Sequence, residues 1–377
     1  MGKIMADKHH YSPKAINKTG ATYRVIYGQR GPGKTFSILF QELEHWWKDE
    51  KRRPKLGIVR RMDEDFVGAN SAKAYYNMLM DDANHENNVD IITKGQYQGV
   101  EYYNGRYWLT QPGEDGKMHR TPEVVAYGFS ISSAEHYKGT RYNDIDVVLF
   151  DEFVATRYYL PDEFVQFQNL LSTIIGNRPG VIIYMLGNTI NPFCPYFKEM
   201  GLTRVREQKP GTIDVYTYGD SQMTVAVEHT GTVKATENAS RYFAFENPKL
   251  RMITNVGDWA IDVYPHCPAK YRPMDVVFTF LILFDEKTYQ GDVIDTGDLQ
   301  FLYIHAKTTD IQDPDHDLIY SLERDPRPNW RVNVLKPILP VEKKIAQFFA
   351  MNRVYYQDNA IGNAIENYLK QARLITI

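Results

Sequence analysis

The stretch that decides the fold is YRVIYGQRGPGKTF, residues 23–36. Apolar and aromatic residues lead up to Gly28 and a helical pattern begins near Phe36, so the stretch predicts a strand, a loop and a helix in that order. The loop matches the phosphate-binding pattern G-x-x-x-x-G-K-[ST] at every position. It consists of Gly28, Gln29, Arg30, Gly31, Pro32, Gly33, Lys34 and Thr35. We therefore expect this loop to bind ATP.

Each residue type in the loop has a chemical task. Glycines allow the backbone to wrap closely, so that its N–H groups and the helix N-terminus face the phosphates. Lys34 is expected to reach the β- and γ-phosphates, and the Thr35 hydroxyl is expected to bind Mg²⁺. The alternative is a chance glycine-rich turn, which would not require lysine and threonine at these two positions.

A second half of the site is expected at the end of another apolar strand. Residues 147–152 read VVLFDE, so this strand ends in Asp151 and Glu152. Open α/β sheets bind ligands at the carboxyl ends of their strands, which places Asp151 where it can hold Mg²⁺. Glu152 is expected to polarise a water molecule for attack on the γ-phosphate. The pair predicts ATP hydrolysis; two acids that only cap a strand end are the alternative.

Four further residues are candidates for this site. Asn188 ends the next apolar strand and is expected to sense the γ-phosphate or the attacking water, unless it only forms a turn with Gly187. Arg178 precedes that strand in a loop, from which it is expected to reach the nucleotide of a neighbouring subunit. Lys138 and Arg141 are weaker candidates for the same role. An ordinary loop residue is the alternative for all three basic residues.

The pattern around these motifs alternates strands with helices up to about residue 196. Strands are predicted at 23–27, 56–60, 147–150 and 181–186, and helices at 36–47, 64–83 and 161–175. Such alternation predicts an α/β domain, assigned to 1–210, with a parallel-rich central sheet. Asn104 and Gly105 separate two short β-rich runs, which predicts a hairpin because both turn positions need a positive φ.

The second half of the chain has a different pattern. A connector is assigned to 211–256, and it opens with an antiparallel pair of strands at 213–218 and 223–228. The domain that follows, 257–377, is predicted to be α+β. Its elements are strands at 276–284, 292–296 and 299–305, with turns near 289–291 and 297–298, and helices at 341–351 and 359–374.

Composition excludes several classes of protein. The 377 residues include only two cysteines, at no metal-ligand spacing, which argues against a disulfide framework or a structural zinc site. The longest apolar run, 276–284, is about half as long as a membrane-spanning helix. The first 61 residues carry 14 Lys and Arg against five Asp and Glu. This excess predicts a local polyanionic partner; a solvated basic face is the alternative.

Several motifs together resemble the DNA-packaging ATPases of small phi29-like bacteriophages. They are the loop at 28–35, VRR at 59–61, FDEF at 150–153, NR at 177–178 and GNTINPF at 187–193. The resemblance implies a P-loop ATPase domain of the ASCE class and a homo-oligomeric ring, pentameric in that family. It also implies docking on the portal of a procapsid in the host cytoplasm, where ATP hydrolysis drives double-stranded DNA inward. A C-terminal RNase H-like domain without nuclease activity, in contact with a structural RNA or the portal, is implied as well.

The residues allow a test of the nuclease expectation. A two-metal nuclease site needs several carboxylates gathered together, and Asp285, Asp292, Asp310 and Glu366 do not gather convincingly in the predicted meander. The alternatives are a large terminase with an active nuclease and a P-loop regulator or kinase, against which the Asp151–Glu152 pair argues. Arg106, beside the hairpin turn, and Lys138 are the expected contacts to DNA phosphates, with solvated loop charges as the alternative.

Overall fold

The computed structural model describes residues 11–29, 33–67, 72–82, 84–155, 159–160, 162–176, 178–188, 194–219, 221–231 and 264–375. The chain divides into two compact units. The first comprises 1–156 and 162–259, and the second comprises 157–161 and 260–377. Within the described residues no helix is long and apolar enough to cross a membrane.

The first unit is built on a nine-stranded sheet with the order β3-β4-β5-β2-β6-β7-β1-β9-β8. Its strands are β1 (Tyr23–Gly28), β2 (Lys55–Arg60), β3 (Gly99–Tyr103), β4 (Arg106–Pro112), β5 (Met118–Ser130), β6 (Ile145–Asp151), β7 (Ile182–Asn188), β8 (Thr212–Tyr218) and β9 (Met223–His229). The strands β5, β2, β6, β7, β1 and β9, which are consecutive in the sheet, are parallel to one another. Strands β3 and β4 at one edge and β8 at the other pair antiparallel with their neighbours. The predicted α/β class with a parallel-rich sheet is confirmed.

Helices precede or connect the strands of this sheet. They are α1 (Lys14–Asn17), α2 (Lys34–Lys48), α3 (Asn77–Met80), α4 (Asn88–Ile92), α5 (Glu163–Ile175) and α6 (Pro195–Glu199). The central strands are almost entirely buried because both faces of the sheet are covered: all six residues of β1 are buried, Arg24 among them. The α2 side chains Ile38, Leu39, Leu43 and Trp46 belong to the same core as Ile26.

The helix predicted over 64–83 is wrong. Its described part forms a 3₁₀ turn at Asp63–Phe66 and the single turn of α3, while 68–71 and 83 lie outside the described residues. Tyr75, in the middle of the stretch, is buried and hydrogen-bonds to Arg60 at the end of β2. Tertiary contacts of this kind override a moderate helical pattern.

The hairpin at Asn104 and Gly105 is confirmed. Their φ angles are 48° and 73°, as a two-residue hairpin turn requires. The hairpin continues into β5, which the sequence did not predict because its first half is polar and exposed. Strands β8 and β9 were predicted as an antiparallel pair that opens a connector. They instead extend the first sheet, because β9 pairs in parallel with β1; residues 232–256 of that connector lie outside the described residues.

The second unit contains a six-stranded sheet with the order β14-β13-β10-β11-β12-β15. Its elements are β10 (Val276–Phe284), β11 (Lys287–Asp295), β12 (Gln300–Ala306), β13 (Ile319–Ser321), β14 (Trp330–Arg331), α7 (Pro340–Ala350), β15 (Val354–Tyr356) and α8 (Asn359–Ile375). Strands β10 to β12 form an antiparallel meander, and β13 and β14 continue it in parallel beside β10. That this unit is RNase H-like stays a prediction.

One turn of the meander was predicted in the wrong place. The first turn is formed by Asp285 and Glu286, both with positive φ, and not by 289–291. Gly291 lies inside β11, opposite Phe280, and a Cβ built on it would lie 2.4 Å from the ring. The glycine therefore serves close packing against an aromatic ring, which the sequence alone does not distinguish from a turn.

Candidate active site

The candidate site lies at the carboxyl edge of three neighbouring strands of the first sheet. Strand β1 ends at Gly28, which pairs with Asn188 at the end of β7. Strand β6 ends at Asp151, which pairs with Leu186 of β7. The phosphate loop, the acidic strand end and the amide are therefore brought to one edge of the sheet, as the sequence predicts.

Lys34 is the first residue of α2 and is buried. Its Nζ donates to the carbonyl oxygen of Gln29 at 2.8 Å and to Oδ1 of Asn188 at 3.3 Å. Burial lowers the pKa of Lys34 to about 8, and the charge of Asp151 opposes this shift. A desolvated ammonium group gains strongly from an anionic partner. Arg30, Gly31 and Pro32 of the loop lie outside the described residues.

Thr35 and Asp151 place two oxygen ligands side by side. The Thr35 hydroxyl donates to Oδ2 of Asp151 at 3.2 Å. Burial raises the pKa of Asp151, and the charge of Arg60 and hydrogen bonds from Tyr75 and Thr35 oppose that rise. Carboxylate and hydroxyl oxygens are the ligands that Mg²⁺ prefers, so this donor set fits the expected metal.

Glu152 follows Asp151 and has an unusual backbone, with a φ of 57°. Its side chain is exposed, and Oε2 accepts from Nη2 of Arg60 at 2.8 Å. Arg60, the buried last residue of β2, also donates to the hydroxyl of Tyr75 at 3.0 Å. This arginine therefore connects the glutamate to the tyrosine that hydrogen-bonds to Asp151.

Gly28 is required where β1 enters the loop. Its φ is 148°, in the region that favours glycine, and a Cβ on it would lie 2.0 Å from Oγ1 of Thr230. Thr230 follows β9 and donates its backbone N–H to the carbonyl of Tyr27. Strand β9 thus closes the side of the loop opposite to Asn188. Gly33, at the start of α2, also has a positive φ of 78°.

The structure does not bring Arg178 and Lys138 to this cluster. Arg178 donates to the carbonyl oxygens of Ile174 and Ile145, and Ile145 is the first residue of β6. The seven residues of β6 span about 20 Å at roughly 3.3 Å per residue, so Arg178 and Asp151 lie at opposite ends of the strand. Lys138 is exposed and pairs with Glu135 at 2.6 Å. Whether either residue acts on a neighbouring subunit stays a prediction.

Sequence reasoning missed the roles of Arg60 and Tyr75. Arg60 was noticed only as part of the VRR motif, and Tyr75 lies in the stretch wrongly predicted as one helix. The available signal was a pair of arginines at the end of an apolar strand, since charges at such a position need partners if the fold buries them. No sequence signal identifies Tyr75.

Asp292 of β11 is a buried acidic residue of the second unit. Asp292 accepts from Thr279 and Gln290, each at 2.9 Å, and contacts Nε2 of His305 at 3.1 Å. In the part of the chain that the structure describes, no three His, Cys, Asp or Glu residues are arranged to hold a metal ion.

Comparisons with known proteins agree with these observations. The model of the family described as Podovirus DNA encapsidation protein (Gp16) matches residues 114–217. The DNA packaging proteins of Bacillus phages PZA and phi29 are each 22% identical over 190 residues, which is 50% of this chain and 48% of theirs. The chain therefore spans about half the length of the relatives it matches.

A solved structure extends the likeness to the fold. A chain of the bacteriophage Phi-29 viral genome packaging motor assembly matches with a TM-score of 0.54 at 17% sequence identity. The match covers 97% of this chain and 100% of that one. At this identity the match shows a shared fold across both units. The resemblance to phi29-like packaging proteins that the motifs indicate is confirmed.

Proposed function

We propose that this chain is the ATP-hydrolysing subunit of a ring motor that translocates double-stranded DNA into a viral procapsid. The observation that carries the proposal is the joining of both halves of a nucleotide site. Lys34 contacts Asn188, and Thr35 contacts Asp151, at one edge of a parallel sheet. The similarity to phage DNA packaging proteins supports the choice of DNA as the polymer that this site moves.

The chain's own residues divide the chemistry among them. The loop at 28–35 binds the phosphates, and Lys34 neutralises their charge from a buried position. Thr35 and Asp151 would hold Mg²⁺, which when bound screens the charge of the phosphates. Glu152 orients a water molecule and accepts its proton. Asn188, which already accepts from Lys34, responds to the γ-phosphate through that contact.

The partners of the proposed motor follow from the resemblance. They are double-stranded DNA, the procapsid portal, a structural RNA and further copies of this chain in a ring. A pentamer is the ring size to test first. The work would take place in the host cytoplasm, on the procapsid. Within the ring we propose that a basic residue acts on the neighbour's ATP, with Arg178 as the first candidate and Lys138 and Arg141 as the next.

We propose that the second unit lacks nuclease activity. The binding of Asp292 to three neighbouring side chains supports this view. Incubation of the 377-residue chain with plasmid DNA and Mg²⁺ or Mn²⁺ tests the proposal. Cleavage that chelation abolishes would instead identify a large terminase with an active nuclease.

The motor proposal is tested by the rate of ATP hydrolysis with and without double-stranded DNA. We expect DNA to stimulate hydrolysis, and we expect a slowly hydrolysed ATP analogue to raise the mass from a monomer to a ring. Lys34→Gln should abolish hydrolysis. The matched control is Lys48→Gln at the other end of α2, where the lysine is exposed and pairs only with Glu44 among the described contacts. Phosphoryl transfer to a small acceptor without DNA stimulation would favour a kinase instead.

A further inference from the structure

Arg61, the residue after β2, joins three separate segments of the first unit. Its Nε lies 2.8 Å from Oε2 and 3.0 Å from Oε1 of Glu163, the first residue of α5. On its other side Nη2 donates to the carbonyl of Phe153 at 2.8 Å, and Nη1 donates to the carbonyl of Glu152 at 3.2 Å. One guanidinium group therefore bridges a helix start and the backbone of the proposed catalytic glutamate.

Glu163 fixes the orientation of this guanidinium. Its side chain is completely buried, and that of Arg61 is only 11% exposed. The Tyr196 hydroxyl donates to Oε1 of Glu163 at 2.9 Å. A buried carboxylate is tolerated only when it is paired and hydrogen-bonded, and a planar guanidinium satisfies it in one orientation. The same orientation directs the remaining N–H groups of Arg61 toward the two carbonyl oxygens.

The backbone at Glu152 needs such support. A φ of 57° is uncommon for a residue with a side chain and persists where surrounding contacts impose it. The carbonyl groups of Glu152 and Phe153 accept from Arg61, and the N–H of Phe153 donates to the carbonyl of Leu186 at 3.1 Å. The peptide groups that follow Glu152 are thus held from β2 and from β7.

We propose that Arg61 and Glu163 form a positioning pair that fixes the main chain of Glu152, and with it the direction of the glutamate side chain. The inference rests on the proposed ATPase function. The pair acts differently from Arg60, which contacts the Glu152 carboxylate itself. Neither Arg61 nor Glu163 touches Lys34, Thr35 or Asp151 in the contacts of the described residues, so the pair should influence hydrolysis through Glu152 and leave ATP binding intact.

The test is the separation of kcat from KM in DNA-stimulated ATP hydrolysis. Arg61→Gln and Glu163→Gln should each lower kcat by about 100-fold, as expected when a catalytic group is misplaced by about 1 Å. The KM for ATP should change by less than about threefold, because uniform binding is retained. Arg61→Lys, which keeps the charge but loses the fork, should recover only part of kcat. The double variant should lose little more than either single one.

A matched control separates positioning from loss of stability. Arg24 is also a buried arginine on a strand of the same sheet, but it lies near the start of β1 and bonds to Tyr184 at 2.7 Å and to Ala21 at 3.1 Å. Arg24→Gln should lower the midpoint of thermal unfolding about as much as Arg61→Gln. When rates are measured on folded protein, the kcat of Arg24→Gln should stay within about twofold of the wild-type value.

Three outcomes would overturn the inference. If the Arg61 and Glu163 variants keep the wild-type kcat, the pair does not position Glu152. If they raise KM as much as they lower kcat, or if Arg24→Gln loses kcat equally, the effect is a general disturbance of the fold. These results overturn the positioning role alone, whereas a wild-type protein that hydrolyses no ATP overturns the proposed function and the inference together.

Discussion

The structure predicts that Arg178→Ala lowers the stability of the first unit. The guanidinium donates to four carbonyl oxygens: those of Ile174 at 3.1 Å and Ile175 at 3.2 Å in the last turn of α5, and those of Asn143 at 3.2 Å and Ile145 at 2.7 Å where β6 begins. Its side chain is 24% exposed. At about 1 kcal/mol for each partly solvated bond, the loss should be about 2–4 kcal/mol.

The assay is chemical denaturation of the full chain followed by tryptophan fluorescence. Arg178→Lys should recover less than half of the loss, because one ammonium group cannot reach four carbonyl oxygens. Arg52→Ala is the matched control: Arg52 also pairs with the start of β6, through Asp146 at 3.0 Å, but it is 64% exposed. Its loss should stay below about 1 kcal/mol. An Arg178→Ala variant within about 0.5 kcal/mol of the wild type would refute this reasoning.

The same variant decides whether Arg178 also acts in trans. Mixed rings of Arg178→Ala and Glu152→Gln subunits contain some interfaces where an intact arginine meets an intact glutamate. A trans role predicts partial recovery of phosphate release in these rings, compared with each variant alone. Four of the five N–H groups of Arg178 donate to carbonyl groups of its own subunit, so the trans role that we propose requires the side chain to change partners. No recovery, with mixed rings demonstrated, would rule Arg178 out and leave Lys138 and Arg141 as the candidates. Recovery with exchange of subunits demonstrated would show that the side chain leaves these carbonyls in the ring.

Three further predictions concern chemistry, DNA and pH. The Glu152→Gln variant should bind ATP normally in an equilibrium binding assay, because Asp151 remains, and it should show no turnover in a phosphate-release assay. Loss of ATP binding would mean that Glu152 is a metal ligand. DNA affinity should fall steeply with salt concentration and should not depend on the DNA sequence. Arg106→Gln should reduce the slope of log affinity against log salt by about 1. An affinity unchanged between about 50 and 200 mM salt would contradict binding through the phosphates. The hydrogen bond to Asp292 raises the pKa of His305 in the folded protein. The contribution of His305 to the free energy of unfolding is therefore complete below its pKa in the unfolded chain, and it is lost as the pH rises through the higher pKa of the folded state. Denaturation from pH 5 to pH 9 should show this loss in the wild type and not in His305→Gln.

The parts of the fold that were predicted are those encoded by neighbouring residues. Strand β1, helix α2 and the loop between them follow from a continuous motif, and the hairpin follows from the Asn104–Gly105 pair. The ends of β6 and β7 were predicted as well, because an apolar run followed by a polar residue marks the carboxyl end of a buried strand. Parallel order then brings these ends to one edge without further information.

The parts that were missed depend on partners distant in sequence. The first half of β5 is polar, and it forms a strand because β4 offers it a hydrogen-bonding edge. The pair β8 and β9 belongs to the first sheet only because β1 has an edge left for β9. Gly291 gives a turn signal, but its place is decided by the ring of Phe280 on the neighbouring strand. In each case the local sequence permits two structures, and a long-range contact selects one.

The candidate site shows the same division on the scale of single side chains. The groups expected to contact the nucleotide, Lys34, Thr35 and Asp151, stand at fixed positions in local motifs because the chemistry needs them there. The groups that hold the Glu152 segment do not occupy such fixed positions. Arg60 supports the Glu152 carboxylate, and Arg61 supports the Glu152 backbone. The Arg61 guanidinium is in turn oriented by buried Glu163, which lies 102 positions further along the chain. Many residue combinations can satisfy a buried charge, so no short pattern identifies these supports. They are found by asking which charged side chains the fold buries and what each one then holds in place.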